Sequence, residues 1–274
     1  MNILCLSENH VKEPFQSEHG LSLLLTWEGH SLLFDMGASS LFLENAARLG
    51  ADVAGVEAAA LSHGHYDHGG GLRAFLAHNA HAPVYVRAEA FGARGSLRPS
   101  GEVAQIGLDA SLRANPRLRL LTDNAQILPG ALLFADEGRE APLPRANGVL
   151  FREEGGGWAP DPFCDEQNLL LRAEGKAVLV TGCAHRGIVN IVRRAQELAG
   201  GRIDAVVGGF HLSNPRTGVC EPEETLREVF RCFAELEGAR FYTGHCTGDA
   251  ALARLQAALP GRVFSLHAGL RLEL

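Results

Sequence analysis

A histidine- and aspartate-rich segment follows a short apolar stretch in the first quarter of the chain. Residues 61–68 contain four potential metal ligands within six positions: His63, His65, Asp67 and His68. If buried, each of these groups would need a partner, and a cation supplies one, because neutral imidazole and carboxylate are natural metal ligands. His63 and His65, two residues apart in an extended turn, can face one cation. Asp67 and His68 can face a second, so the segment predicts a two-metal centre.

Further histidines follow apolar stretches in the second half of the chain. His185 lies where a predicted strand turns into a helix, and we expect it to be the third ligand of the first cation. His78 and His81 are the other histidines between the first segment and His185, and both fall around a helix end at the surface. His211 ends another predicted strand behind Gly-Gly-Phe. It is predicted to act in catalysis as an acid or base, with substrate binding, ligation or simple hydrogen bonding left open.

The elements that must position these residues alternate along the chain. Apolar stretches predict strands at 2–6, 21–27, 31–35, 58–62, 83–86, 118–122, 131–134, 168–172, 177–181, 203–207, 240–243, 262–266 and 269–273. Helical patterns fall at 41–49, 69–78, 187–199, 223–237 and 249–258. Residues 138–168, rich in Gly, Pro and acidic residues, predict a long excursion near the site or a lid. Strand–helix alternation with interleaved hairpins predicts an α/β (α+β) fold over 1–274 as a single domain, a four-layer αββα sandwich of two mixed sheets flanked by helices.

The His-x-His-x-Asp-His sequence after a buried strand resembles the metal motif of the metallo-β-lactamase superfamily. Segments 18–22, 181–188, 208–212 and 243–248 are similar to a subfamily labelled dihydropteroate-synthase-like or metal-dependent hydrolase. Some members of that subfamily are assigned to joining a dihydropterin to ribofuranosylaminobenzene phosphate. The resemblance extends from about residue 2 to residue 273, and it implies the αββα metallo-β-lactamase sandwich with two bound cations.

The resemblance also implies roles for three residues outside the first segment. Asp35, at the end of strand 31–35, resembles an aspartate that supports the metal-bound imidazoles by hydrogen bonding. His245 resembles the family's last metal histidine, which completes the second site with Asp67 and His68. Cys183 stands where many relatives carry a bridging aspartate. The departure leaves two readings of Cys183, a small buried residue supporting the site or a thiolate ligand.

Composition and charge argue against several classes of partner. The net charge of −7 disfavours nucleic acid, because phosphate binding requires a basic face. The sequence has no uncharged apolar stretch long enough to span a bilayer and no secretory signal, so no membrane partner is expected. Six cysteines without a C-x-x-C pair are neither a disulfide framework nor a zinc ribbon, which favours a reducing, cytoplasmic setting. A homodimer is left open.

The predicted chemistry is hydrolysis of a small ester, lactone or phosphate-containing substrate. Two adjacent cations lower the pKa of a bridging water and polarise the bond under attack. Asp67 would orient the resulting hydroxide as well as bind metal. Zinc suits the ligand mixture best, with iron or manganese as alternatives. Glu18, His19 and Arg186 are predicted to contact the substrate, which is expected to be anionic.

Two other functions fit the same residues. The subfamily resemblance implies a pterin-linked transferase, in which Arg186 or Arg216 holds an anion and a cation helps to expel a leaving group. A non-catalytic, metal-dependent binding protein is the third hypothesis. Substrate specificity is expected to reside in the weakly patterned stretches 92–116 and 136–166.

Overall fold

The computed structural model describes residues 1–135, 138 and 140–274, and alternating strands and helices make up most of them. In chain order the strands are β1 (Asn2–Ser7), β2 (Ser22–Trp27), β3 (His30–Phe34), β4 (Ala58–Ala60), β5 (Val84–Arg87), β6 (Arg94–Leu97), β7 (Val103–Gln105), β8 (Leu118–Leu121), β9 (Ala125–Leu128), β10 (Ala131–Phe134), β11 (Leu150–Glu154), β12 (Gly157–Pro160), β13 (Asn168–Ala173), β14 (Lys176–Val180), β15 (Ala205–Gly209), β16 (Arg240–Gly244), β17 (Val263–Ser265) and β18 (Arg271–Glu273). The α-helices are α1 (Leu41–Leu49), α2 (Tyr66–Gly69), α3 (Leu72–His78), α4 (Ile188–Ala199), α5 (Glu223–Glu235) and α6 (Asp249–Ala258). Short 3₁₀ helices span Ala88–Phe91, Ala110–Leu112, Arg145–Val149 and His245–Thr247.

Two large mixed sheets and one small sheet organise these strands. The first large sheet has the order β18-β1-β2-β3-β4-β5-β8, and the second has the order β17-β16-β15-β14-β13-β10-β9. In the first sheet β3, β4, β5 and β8 run parallel, and in the second β14 to β17 do. The small sheet, β12-β11-β6-β7, is antiparallel.

Alternate residues of the central strands face opposite sides of each large sheet. Leu23 and Leu25 of β2 pack in one apolar cluster with Leu169 of β13, so the two sheets meet face to face. Leu24 points the other way, into a cluster with α1 and α3, and Leu170 points into a cluster with α4, α5 and α6. Both faces of these strands are buried, which is why they read as continuous apolar runs. The predicted four-layer αββα sandwich is confirmed.

The strand ends gather the chemically active residues at one edge of this sandwich. Asp35 follows β3 and His63 comes shortly after β4, the neighbouring parallel strand. Cys183, His211 and His245 come just after β14, β15 and β16, which are parallel neighbours in the second sheet. Parallel strands place their carboxyl ends on the same edge, so residues far apart in sequence meet there.

The predicted helix over residues 69–78 is interrupted. Helix α2 ends at Gly69 and α3 begins at Leu72, and the intervening glycines have ordinary helical φ values of −61° and −75°. A Cβ at Gly70 would lie 2.2 Å from the carbonyl oxygen of Ala38, and one at Gly71 would lie 2.2 Å from that of Met36. Close approach of the loop before α1 is what requires glycine.

The excursion predicted over residues 138–168 forms part of the small sheet. Strands β11 and β12 come from it and pair with each other, and β11 also pairs with β6, which precedes the excursion in the chain. Residues 136, 137 and 139 of the predicted specificity stretch 136–166 lie outside the described residues. None of the helices in the described part of the chain has the length and apolar content needed to cross a membrane.

Candidate metal centre

Three buried imidazole rings form the first group of candidate ligands. The ring centroid of His63 lies 4.5 Å from that of His65 and 4.9 Å from that of His185, and His65 and His185 are 5.1 Å apart. His63 Nε2 is 3.0 Å from His65 Nδ1. Three neutral imidazoles converging on one point are a ligand set that suits a divalent cation.

The second group combines two imidazoles with a carboxylate. His68 Nε2 lies 3.2 Å from His245 Nε2, and Asp67 Oδ2 lies 3.3 Å from His245 Nε2 and 3.9 Å from His68 Nε2. Burial by itself would raise the pKa of Asp67, but His68, with His19 and His245, holds that pKa well below its usual range. The carboxylate is therefore an anion ready to bind a cation.

Cys183 lies between the two groups. Its sulfur is 3.1 Å from His68 Nε2, and it falls within 4.8 Å of ligand atoms in both sets, His63 with His185 and His68 with His245. The turn that carries it approaches β4 closely, because a Cβ at Gly182 would lie 2.1 Å from Ser62 Oγ. This placement favours the thiolate-ligand reading of Cys183 over the reading as a supporting residue.

The protonation and hydrogen bonding of these groups fit a cation. Nε2 of His185 and both ring nitrogens of His211 are buried without a hydrogen-bond partner among the described residues. Burial lowers the pKa of His63 and of His185 well below the usual value, and that of His65 to about 4. The rings are thus neutral at physiological pH, and their unpaired nitrogens would cost free energy unless a ligand or cation engaged them.

Asp35 contacts this arrangement through His68. Its Oδ2 accepts hydrogen bonds from the Ser62 hydroxyl and from His68 Nδ1, both at 2.7 Å, and its Oδ1 accepts from the Ser62 backbone N–H at 2.7 Å. Burial by itself would lower the pKa of His68, but the carboxylates of Asp35 and Asp67 outweigh burial and raise that pKa to about 9. Because Asp35 keeps a proton on Nδ1, a cation binding His68 would displace the proton on Nε2, the nitrogen that faces the cluster.

Several residues that the sequence analysis did not single out contact the histidines on the side away from the cluster. Asn147 Oδ1 lies 2.9 Å from His185 Nδ1, and Asn9 Oδ1 lies 2.9 Å from His245 Nδ1. Glu8 accepts a hydrogen bond from the backbone N–H of His245. The two asparagine contacts fix the outer nitrogen, Nδ1, of the His185 and His245 rings, and so direct the other nitrogen of each ring to the centre.

Two buried carboxylates brace the loops that carry the first ligand group. Glu166 accepts from the backbone N–H groups of His185 and Arg186 at 2.6 and 2.8 Å, and burial raises its pKa to about 7. Asp165 accepts from the Gly64 N–H at 2.7 Å and pairs with the buried Arg94. The signal in the sequence was a run of four polar residues, 165–168, leading directly into a buried strand.

Four residues at the edge of the sandwich that carries the candidate ligands have backbone φ angles in the left-handed region. Asp35, Ala184, His211 and His245 have φ angles of 58°, 62°, 47° and 48°. Each such residue costs on the order of 1–3 kcal/mol, and such strain persists only where the surrounding structure holds it, commonly at functional sites.

A cleft of about 260 Å³ opens directly onto the cluster. The candidate ligands and catalytic residues that line it are His65, Asp67, Cys183, His185, His211 and His245. The small sheet and the residues before β11 form the opposite wall, with Ile106, Val149 and Leu150. A small molecule in this cleft would contact both groups of ligands.

The three residues predicted to contact substrate differ in placement. His19 lines the cleft, with Nε2 3.3 Å from Asp67 Oδ2. Glu18 does not, because its carboxylate accepts from the Ser7 hydroxyl and the Ala38 N–H at 2.9 and 3.0 Å and braces the loop before α1. Arg186 is buried behind the site, where its guanidinium donates to the carbonyl oxygen of Pro162 at 3.0 Å. Of the three predicted substrate contacts, the structure thus places His19 on the wall of the cleft and Glu18 and Arg186 outside it.

Comparison with known proteins identifies the family. A sequence model described as the metallo-β-lactamase superfamily matches residues 18–245. The chain belongs to this superfamily. The motif predicted at residues 63–68 and the observed sandwich are thus both features of this superfamily. The chain has the metal-dependent hydrolase fold of the superfamily.

Individual relatives of this superfamily member cover nearly its whole length. A protein of Methanocaldococcus jannaschii named 7,8-dihydropterin-6-methyl-4-(β-D-ribofuranosyl)-aminobenzene-5′-phosphate synthase is 27% identical, over 98% of this chain and 95% of its own. A crystal structure described as Tm1679, a metal-dependent hydrolase of the β-lactamase superfamily, is 32% identical with a TM-score of 0.85, covering 100% and 99% of the two chains. Zinc-bound PqqB from Methylobacterium extorquens, at 15% identity, TM-score 0.61 and complete coverage of both chains, shares the fold.

Proposed function

We propose that this protein is a two-metal hydrolase of a small anionic ester, lactone or phosphate-containing substrate. The observation that carries the proposal is the position of Cys183 Sγ, within 4.8 Å of imidazole nitrogens in both sets, His63 with His185 and His68 with His245. Both sets open onto a single cleft of small-molecule size. A centre built only for structural stability would be closed to solvent on all sides, whereas this one has an open face.

The residues present would hold the cations in two places. His63, His65 and His185 would hold one, and the second group defined above would hold the other, with Cys183 between them. When bound, the cations would supply a hydroxide nucleophile near neutral pH and polarise the bond under attack. Thiolate and imidazole ligands favour zinc over manganese or magnesium, so zinc is the metal that we propose.

His211 is the residue that we assign to proton transfer. It lines the cleft next to His185, with ring centroids 4.2 Å apart, and it is 97% buried, with neither nitrogen engaged by a described residue. A proton carried on one nitrogen could therefore pass to the leaving oxygen of the substrate without breaking an internal hydrogen bond. Asp67, on the same wall of the cleft, accepts from His19 and orients the attacking group.

Metal analysis of the purified protein tests the centre. We expect about two equivalents of zinc per chain in wild type and a loss of about one in His65→Ala and in His185→Ala, because each removes a ligand of the first group. His78→Ala, an exposed histidine on α3, is the matched control and should retain the wild-type content. Less than about half an equivalent in protein from zinc-replete cells would overturn the two-metal proposal.

Hydrolytic activity is tested on simple chromogenic esters, lactones and phosphodiesters. Wild type should turn over at least one of these classes, and His65→Ala should not. His211→Gln should keep its zinc but lose most of its turnover of substrates with poor leaving groups, while hydrolysis of substrates with good leaving groups is less affected. An equal loss for both kinds of leaving group would remove His211 from the role of proton donor.

The pterin-linked transferase is the second candidate, and one observation favours it. The named synthase of M. jannaschii aligns over 98% of this chain. Under this proposal the same cleft would bind a reduced pterin, and the cations would assist the departure of a leaving group rather than activate water. Saturable binding of a reduced pterin by zinc-loaded protein, without hydrolysis of any of the ester classes, would favour the transferase.

A further inference from the structure

We propose that Arg98, Arg216 and Tyr66 form an anion-binding subsite at the mouth of the cleft, which takes a phosphate group that the substrate carries away from its reacting bond. All three residues line the same cleft as the candidate metal ligands. The inference rests on the proposed function, since it names the substrate class of that site as a phosphate-bearing small molecule.

The backbone brings the two arginines together from distant parts of the chain. Arg98 directly follows β6, and Arg216 lies in the loop between β15 and α5. The Arg216 guanidinium donates to the carbonyl oxygen of Leu97 at 2.5 Å and to the Ser96 hydroxyl at 2.6 Å, so it is fixed against the end of β6. Burial and the neighbouring Arg98 charge lower the pKa of Arg216, as expected for two cations held close together.

These charges lack the partners that surface arginines usually have. Among residues 1–135, 138 and 140–274, no carboxylate lies within 4.0 Å of the guanidinium of Arg98 or Arg216. Arg94, four positions before Arg98, shows the contrast, because Asp161 and Asp165 both pair with it. In a chain of net charge −7, two adjacent unpaired guanidiniums at a cleft mouth concentrate positive potential where a ligand enters.

Tyr66 links the subsite to the metal centre. It lies between His65 and Asp67, residues that are 6% and 7% exposed, whereas Tyr66 is 43% exposed. The phenol therefore lies at the mouth, one residue away from a ligand in each group, and can donate a hydrogen bond to an anion there. Planar guanidinium forks match phosphate oxygens in pairs, which makes phosphate the anion that the subsite fits best.

The geometry also sets which part of the substrate sits where. A phosphate held at the mouth leaves the deeper part of a cleft of about 260 Å³ for the rest of a small molecule, next to Cys183 and His211. The reacting bond would then face the metal ligands, and the phosphate would act as a handle that is not itself cleaved. Binding energy from such a remote group can be used to position the reacting bond.

Calorimetric titration of zinc-loaded protein with inorganic phosphate tests the subsite. We expect phosphate affinity to fall at least about tenfold in Arg98→Gln and in Arg216→Gln, because each removes a charge-assisted contact. Arg231→Gln, an exposed arginine on α5 without a carboxylate partner among the described residues, is the matched control and should bind phosphate as wild type does. Zinc content should be unchanged in all three. Wild-type phosphate affinity in Arg98→Gln, the variant that breaks no internal hydrogen bond, overturns the proposal.

Titration of chelator-treated wild type separates the subsite from the cations. Phosphate binding that persists without zinc, and is still lost in Arg98→Gln, assigns the anion to the arginines. Binding that disappears with the zinc assigns it to the cations and overturns the subsite. Because these readouts need no turnover, the hydrolase proposal can fail on every ester class while the subsite stands, and the reverse outcome is equally distinguishable.

Discussion

The substitution Asp35→Asn tests whether a single carboxylate determines which nitrogen of His68 can bind metal. The Asp35 carboxylate is completely buried and accepts three hydrogen bonds, each 2.7 Å long, two from Ser62 and one from His68 Nδ1. With one proton held on Nδ1, His68 Nε2, 3.1 Å from Cys183 Sγ, is the nitrogen left for a cation.

In Asp35→Asn an NH₂ group replaces one of the accepting oxygens. If the amide oxygen keeps the Ser62 N–H, the NH₂ faces His68 Nδ1 and favours the tautomer with its proton on Nε2, which points into the cluster. Loss of a buried hydrogen bond to a charged group costs about 1.5–3 kcal/mol of unfolding free energy. Loss of the group that orients a metal histidine lowers metal affinity by roughly 10- to 100-fold.

Two assays separate these effects. Competition with a chromophoric chelator measures zinc affinity, and urea unfolding of the chelator-treated protein measures the stability term. Asp204→Asn is the matched control, since Asp204 Oδ2 accepts the Ala177 N–H at 2.9 Å before the start of β15, at the end away from the site. Wild-type zinc affinity in Asp35→Asn would refute the tautomer argument. An equal loss of zinc affinity in Asp204→Asn would show that the effect is general destabilisation of the protein.

Three further predictions concern other parts of the centre. Glu166→Gln leaves one buried N–H facing an NH₂ group, so urea unfolding should show a loss of about 1–3 kcal/mol. Cys183→Ser should abolish the sulfur-to-metal charge-transfer absorption of cobalt-substituted protein, because Cys183 Sγ is the sulfur that lies within 4.8 Å of nitrogens in both ligand groups. The third concerns the metal-free protein, in which the unfolding free energy of wild type relative to that of Asp35→Asn should fall from pH 6.5 to pH 8.5, because the comparison cancels the groups that the two proteins share. His68 has a pKa of about 9 in the folded state, so the unfolded chain releases its proton first and the stabilisation fades as pH rises toward that value.

Each of these three predictions has a control variant and an outcome that would contradict it. Glu237→Gln, at an exposed position after α5, should unfold as wild type does, and a wild-type curve for Glu166→Gln would contradict the bracing role. Cys232→Ser, on α5 and outside the ligand groups, should keep the cobalt–sulfur absorption. Persistence of the absorption in Cys183→Ser would remove the Cys183 sulfur from the ligand set. Asp35→Asn should show a shallower fall in stability with pH, because it lacks the charge that raises the pKa of His68. An identical slope in both proteins would contradict the assignment to His68.

The sequence by itself determined the layers of the fold and most of the ligand candidates. Short, mostly apolar stretches, such as residues 21–27, are typical of strands buried on both faces, and their alternation with helical patterns predicted a sandwich with helices outside. Four ligand-type residues within residues 63–68 indicated metal because such groups are costly to bury without a cation. Both inferences are local, since each depends on a few neighbouring residues.

The tertiary structure alone decided how distant groups combine. The position of Cys183 between the two groups follows from the parallel register of β14 with its neighbours, and no local pattern at residue 183 distinguishes a ligand from a small core residue. Glu18 and Arg186 lie next to motif residues in sequence, yet the structure turns their side chains to Ser7 and Pro162, away from the cleft.

The small sheet and the arginine pair at the cleft mouth also depended on pairing across long sequence distances. Strand β6 joins β11 more than fifty residues later, and Arg216 reaches back to Leu97 across 119 positions. Short strands with little alternation gain their stability only from such partners. Local sequence therefore predicted which residues could take part in chemistry, whereas long-range packing decided which of their side chains lie in the same site.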